Sequence, residues 1–177
     1  EAFAGLLPDY RLPSGKFRVA GALALTPERV KLTGMRLAAA GAQGTVDADI
    51  ELPLSAVRGD FNVTAKGQDI THFLPRLGAV RPTMMPFDLR VRGAAQGGAW
   101  RLDQAEFNTD AFQLSGSGRL DWAPDFSATA LKLAASAPDL AAAGRVFALS
   151  LPAQPFNLTA EFSGTPTAFK VERASGR

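Results

Sequence analysis

Apolar and polar residues alternate with period two along most of this chain, the signature of strands that bury one face and expose the other. Phe17, Val19, Gly21, Leu23 and Leu25 share one side of the first such stretch. Val46, Ala48, Ile50 and Leu52 share one side of another, opposite Asp47, Asp49 and Glu51. The pattern continues through Phe61, Val63 and Ala65, then Phe87, Leu89 and Val91, then Phe112, Leu114, Gly116, Gly118 and Leu120. Phe126, Ala128 and Ala130 open a further strand, and Phe156, Leu158, Ala160 and Phe162 another. About ten strands are expected on this count.

Two stretches break the alternation and read as short helices. Gln68 to Leu77 has Asp69 as its N-cap and stops before Gly78 and Pro82. Pro138-Asp139-Leu140 opens a second, Ala-rich segment that ends near Gly144 or Phe147. Pro53, Pro124, Pro152 and the Gly97-Gly98 pair fall between strands, where turns belong.

The pattern also repeats at a spacing of about 70 residues. Phe17, Phe87 and Phe156 each begin an alternating strand, and thirteen residues after each stand Val30, Trp100 and Phe169. These open Val30-Lys31-Leu32, Trp100-Arg101-Leu102 and Phe169-Lys170-Val171, the same apolar-basic-apolar triplet. In the first two copies the alternation then slips by one residue, near Gly34 and near Asp103-Gln104, as it would at a β-bulge. Asp60-Phe61 and Asp125-Phe126 recur as well, each followed by Asp69-Ile70 or Asp139-Leu140. One unit is four strands and a short helix. The approximate units are 1–16 (partial), 17–86, 87–155 and 156–177 (partial), so the chain reads as an interior piece of one elongated all-β domain, mainly antiparallel.

Composition narrows the chemistry. Nineteen Lys and Arg against seventeen Asp and Glu leave a net charge of +2, with acids and bases interleaved along the strands. A nucleic-acid partner is not expected, because such proteins cluster cations with stacking aromatics. The chain has no Cys, which excludes a disulfide framework, a thiol nucleophile and any Cys-ligated metal or cluster. No run of about 18 apolar residues could cross a bilayer as a helix, so any anchor or export signal belongs outside this sequence.

The candidate sites of reaction are weak. His72 is the only histidine and has no neighbouring nucleophile or paired carboxylates, so no catalytic residue and no enzyme activity are expected. Asp47, Asp49 and Glu51 lie along one straight strand, which cannot wrap three carboxylates around one cation, so no metal is expected there. Ser14-Gly15-Lys16 and Ser115-Gly116-Ser117-Gly118 lack phosphate-loop spacing, and the sequons at Asn62 and Asn157 fall within strands. No cofactor is called for.

The runs Phe87-Asp88-Leu89-Arg90-Val91-Arg92-Gly93, Trp100 to Phe107 and Phe112-Gln113-Leu114-Ser115-Gly116-Ser117-Gly118-Arg119-Leu120 resemble the AsmA family of Gram-negative bacteria. The resemblance extends over nearly the whole chain as a cadence: strand, Gly, strand, turn, Ser-Gly-x-Gly strand, strand, Asp-Leu helix. It implies a periplasmic location, an inner-membrane anchor elsewhere in the protein, and an elongated curved sheet whose apolar groove carries phospholipid acyl chains toward the outer membrane. Envelope proteins are the other partners it implies. On that reading the groove is lined by Phe17, Val19, Leu23, Phe61, Val63, Phe87, Leu89, Val91, Phe112, Leu114, Leu120, Phe126, Phe156, Leu158 and Phe162.

An apolar sheet face must be covered by something, and two short helices cannot cover ten strands. The residues alone leave three covers open: acyl chains, a second sheet in a closed β-sandwich that serves as an interaction module in outer-membrane assembly, or a partner protein.

Overall fold

The computed structural model describes residues 16–39, 41–52, 58–70, 84–97, 99–121, 129–146, 149–165 and 168–176. They form ten strands and one helix. The strands are β1 (Phe17–Thr26), β2 (Arg29–Ala39), β3 (Ala42–Glu51), β4 (Arg58–Gly67), β5 (Phe87–Gln96), β6 (Ala99–Thr109), β7 (Gln113–Asp121), β8 (Thr129–Ala137), β9 (Phe156–Thr165) and β10 (Ala168–Gly176). The helix is α1 (Leu140–Val146) between β8 and β9.

Each strand pairs antiparallel with the next in sequence, so the sheet order is simply β1 to β10. β1 and β10 do not pair with each other, and the sheet is open. Among the described residues all strands belong to this one sheet, which removes the closed β-sandwich as the arrangement of these strands. Nine spacings of about 4.8 Å make it roughly 43 Å wide, and ten-residue strands are about 33 Å long.

Register keeps the apolar side chains together. Partners in antiparallel strands point the same way, so the row Met35, Val46, Val63, Val91, Ala105, Gly116, Leu133, Ala160 runs from β2 to β9 on one face. Bulges maintain this continuity. β2 carries one extra residue between Leu32 and Met35, β6 carries one between Leu102 and Ala105, and β10 carries one between Val171 and Arg173. Each bulge lies on every fourth strand and moves the apolar positions from even to odd numbers or back, so both halves of the strand still face the same side. At the first of them the Gly34 N–H, turned out of the ladder, donates to Asp47 Oδ1 at 2.6 Å.

The phase of β8 differs from the sequence expectation. Ala130 pairs with Arg119 and Ser163 and faces the polar side, whereas Leu131 and Leu133 occupy the apolar one. The strand begins only at Thr129, so its phase follows the two leucines and not the preceding Phe126, which lies outside the described residues.

The connection that carries α1 covers one end of the apolar face. Asp139 caps α1, its Oδ1 accepting from the Ala141 N–H at 2.9 Å. Ala143, Gly144 and Val146 are buried, and Gly144 is required because a Cβ there would press on the Leu149 carbonyl. The stretch expected as a first helix, including His72, lies outside the described residues beyond Ile70. Its two ends are nonetheless tied in the same way as those of the α1 connection. Ile70 N–H donates to the Met85 carbonyl at 3.1 Å, and Leu140 N–H donates to the Gln154 carbonyl at 2.8 Å. These connections meet the sheet ends in one buried cluster of Ala42, Ile70, Met85, Phe87, Phe112, Ala137, Ala143 and Val146.

Candidate functional site: an open apolar sheet face

Away from that covered end the apolar face is open. Leu114 on β7 and Leu133 on β8 sit in the middle of the sheet, yet 43% and 42% of their surfaces reach solvent. A central-strand leucine under a second layer would be nearly sealed. On β1, at one flank of the described strands, Phe17, Val19, Leu23 and Leu25 are exposed, Phe17 by 77%.

Of the residues expected to line a groove, fourteen lie among those described, and all belong by register to this face. Phe61, Val63, Leu89, Val91, Leu120, Leu158 and Phe162 are half-buried along it. Phe87 and Phe112 do not line an open surface: they are 7% and 8% exposed, in the buried cluster against which Phe156 also packs. Phe112 precedes β7 and closes the β6–β7 hairpin, where Thr109 Oγ1 accepts from the Phe112 N–H and donates to its carbonyl, both at 2.9 Å. Phe107 links the cluster to the open part, stacking near Phe87 with ring centroids 6.4 Å apart.

Leu102, Phe107, Leu131 and Leu133 complete the face and were missing from the expected lining. The first two flank the bulge of β6 and the last two follow the phase of β8, so a straight alternation does not reach them. With Leu89, Leu114, Leu158 and Phe162 they enclose a trough of about 310 Å³. Its position follows from the row traced above. Over β2 to β5 that row is Met35, Val46, Val63 and Val91, which fill the face, whereas over β6 to β9 the small Ala105, Gly116 and Ala160 leave a hollow beside Leu133.

The opposite face carries the charged and polar side chains, with alanines such as Ala20, Ala38, Ala94 and Ala134 among them. Asp49 pairs with the Arg29 guanidinium and lies 4.0 Å from Lys31 Nζ. The hydrogen bond from Arg29 to Asp49, then the attraction of the same carboxylate, raises the Arg29 pKa above its usual value. Among the described residues, no group of three or more His, Cys, Asp or Glu is arranged to hold a metal ion. No helix among them is long and apolar enough to cross a membrane. Comparison with protein-family models, curated proteins and solved structures finds no match to this chain.

Proposed function

We propose that this chain is a non-enzymatic, periplasmic lipid-carrying segment whose open sheet face receives phospholipid acyl chains, as its AsmA-like sequence cadence implies. The observation that carries the reading is the exposure of Leu114 and Leu133 in the centre of a continuous apolar face. Contiguous exposed apolar surface of this extent is uncommon on soluble domains that have no ligand or partner. Each methylene transferred from water onto it is favourable by about 0.8 kcal/mol, without any directional contact. An acyl chain suits such a face because nothing on it needs a hydrogen bond, while a headgroup stays in water beyond the rim. The buried cluster at one end of the strands forms a wall along which chains pass across the sheet.

A photo-crosslinking residue at Leu114 or Leu133 is expected to capture phospholipid in cells, whereas one at Gln113 or Lys132, on the polar face, is not. Equal capture from both faces, or none from either, removes the proposal.

A further inference from the structure

The polar face carries the same groove twice. One copy, of about 660 Å³, lies over β1 to β5 between Arg18 and Arg36 on one side and Lys66 and Arg90 on the other. The other, of about 430 Å³, lies over β6 to β9 beside Glu106, Ser136 and Thr159. Arg36 and Glu106 are 70 residues apart, as are Lys66 and Ser136, while Arg90 and Thr159 are 69 apart. Those are the offsets separating Phe17, Phe87 and Phe156 at the starts of β1, β5 and β9. Equivalent register positions make a hollow in both places; the second is smaller, lacking a counterpart of the wall that Arg18 and Ala20 supply, and its charge differs. The counterparts of Arg18 and Arg92 are Asp88 and Glu161, so the cations are not a by-product of the repeat.

We propose that the first groove is a binding site for an extended polyanion of the acidic-oligosaccharide class. A smaller hollow lined by Arg90 and Arg92 shares Thr64 with it and continues it to β6. The two together hold five cations and one carboxylate, Asp88, an excess of four on a chain of net charge +2. Asp88 is already engaged by Arg90, Oδ1 to Nε 3.2 Å. Among the described residues, Arg18, Arg36, Lys66 and Arg92 have no carboxylate partner. A concave surface of one sign concentrates counter-charge, and guanidinium groups match carboxylate or phosphate with paired donors.

Register carries Arg36 to Thr45, Thr64 and then Arg90, three strand spacings or about 14 Å of backbone between the walls. Cations on both flanks of one floor suit a ligand that bears several anionic groups along its length. Between the walls the floor is uncharged and mixed, with Ala20 and Ala38 beside Gln43 and the Thr45–Thr64 hydroxyl pair at 2.7 Å. The accepting hydroxyl keeps its own proton for a ligand oxygen, which suits a polyhydroxyl chain. No aromatic side chain lines either hollow, so nothing offers base stacking to a nucleic acid. A planar bilayer surface does not reach a floor recessed below its cations.

The test is fluorescence anisotropy with labelled oligogalacturonate and a phosphorylated oligomannose. Saturable binding at one equivalent, weakening steeply with salt, is expected. Arg36→Gln with Arg90→Gln should weaken it at least tenfold, whereas Arg29→Gln with Arg58→Gln, on the same face outside the groove, should change it less than twofold. Glu106→Arg, Ser136→Lys and Thr159→Arg together should add a second equivalent. All these sites are exposed or half-buried, and unchanged circular dichroism verifies folding. The proposal is overturned by absence of saturable binding or by equal losses in the two double variants. Binding confined to polyphosphate, single-stranded DNA or phosphatidylglycerol vesicles overturns it too, as does salt-sensitive self-association in place of ligand binding.

Discussion

Replacing Leu133 by Lys tests whether the apolar face is open in solution. Leu133 is central on β8 and 42% exposed. Full burial of a leucine contributes about 1.5–3 kcal/mol, so its buried share contributes roughly 1–2 kcal/mol. A lysine recovers part of this by laying its methylenes along the face with the ammonium in water, which leaves a loss of about 1 kcal/mol. Beneath a second layer the same ammonium would be desolvated and unpaired, at a cost of several kcal/mol. Phe87→Ala supplies the comparison, because Phe87 is 7% exposed in the covered cluster and its truncation should cost about 3–5 kcal/mol. At about 2–4 °C per kcal/mol for a chain of this size, thermal unfolding should fall by about 3 °C for Leu133→Lys and about 10 °C or more for Phe87→Ala. Calorimetry on the lipid-free protein makes the measurement. A Leu133→Lys loss equal to that of Phe87→Ala would mean that the face is packed, and the open-face reasoning would fall.

Other substitutions probe single features of the fold. Gly118 has φ +131°, and a Cβ there would collide with the Ala130 carbonyl, so Gly118→Ala should lower stability by about 1–3 kcal/mol in urea unfolding. Asp139→Ala removes the cap of α1 and should cost about 1 kcal/mol by the same measurement, with rescue by Asp139→Ser. The triple variant Asp47→Asn, Asp49→Asn, Glu51→Gln should cost less than about 1 kcal/mol, since the partners of this row are exposed cations and an amide oxygen at position 47 can still accept from the Gly34 N–H. A loss of several kcal/mol there would show that this row is structural rather than solvated.

Much of the sheet was legible because period-two alternation is set by the backbone itself. Phe17 to Leu25, Val46 to Ile50, Phe61 to Ala65 and Phe87 to Val91 each fall on one side of their strands, as the pattern requires. The slips near Gly34 and Gln104 are bulges, legible because a single inserted residue inverts parity and nothing else in a strand does so. Asp139 followed by a run of alanines announced α1 for the local reason that its side chain caps the first turn. β8 was misread because Phe126 suggested a phase that Leu131 and Leu133 contradict, and a run of small residues offers little to choose between them. Whether the face is open was not legible, since a one-sided strand has the same pattern in an open sheet and in a sandwich. Nor was the burial of Phe87 and Phe112, which depends on Ile70, Met85, Ala143 and Val146 gathering over one end of the sheet.

The meander order has a consequence for how this chain comes apart. Among the described residues every strand is hydrogen-bonded only to its immediate predecessor and successor, so no strand pairing among them ties one flank of the sheet to the other except through all the strands between. Such a molecule behaves as a one-dimensional array in which stability is a sum over adjacent pairs. Pulled from the β1 side, it should peel strand by strand, with the buried cluster around Phe87 and Phe112 registering as the largest force step. Amide hydrogen exchange should likewise be graded from flank to centre instead of reporting one global opening, and a lesion on β1 should leave protection at β9 untouched.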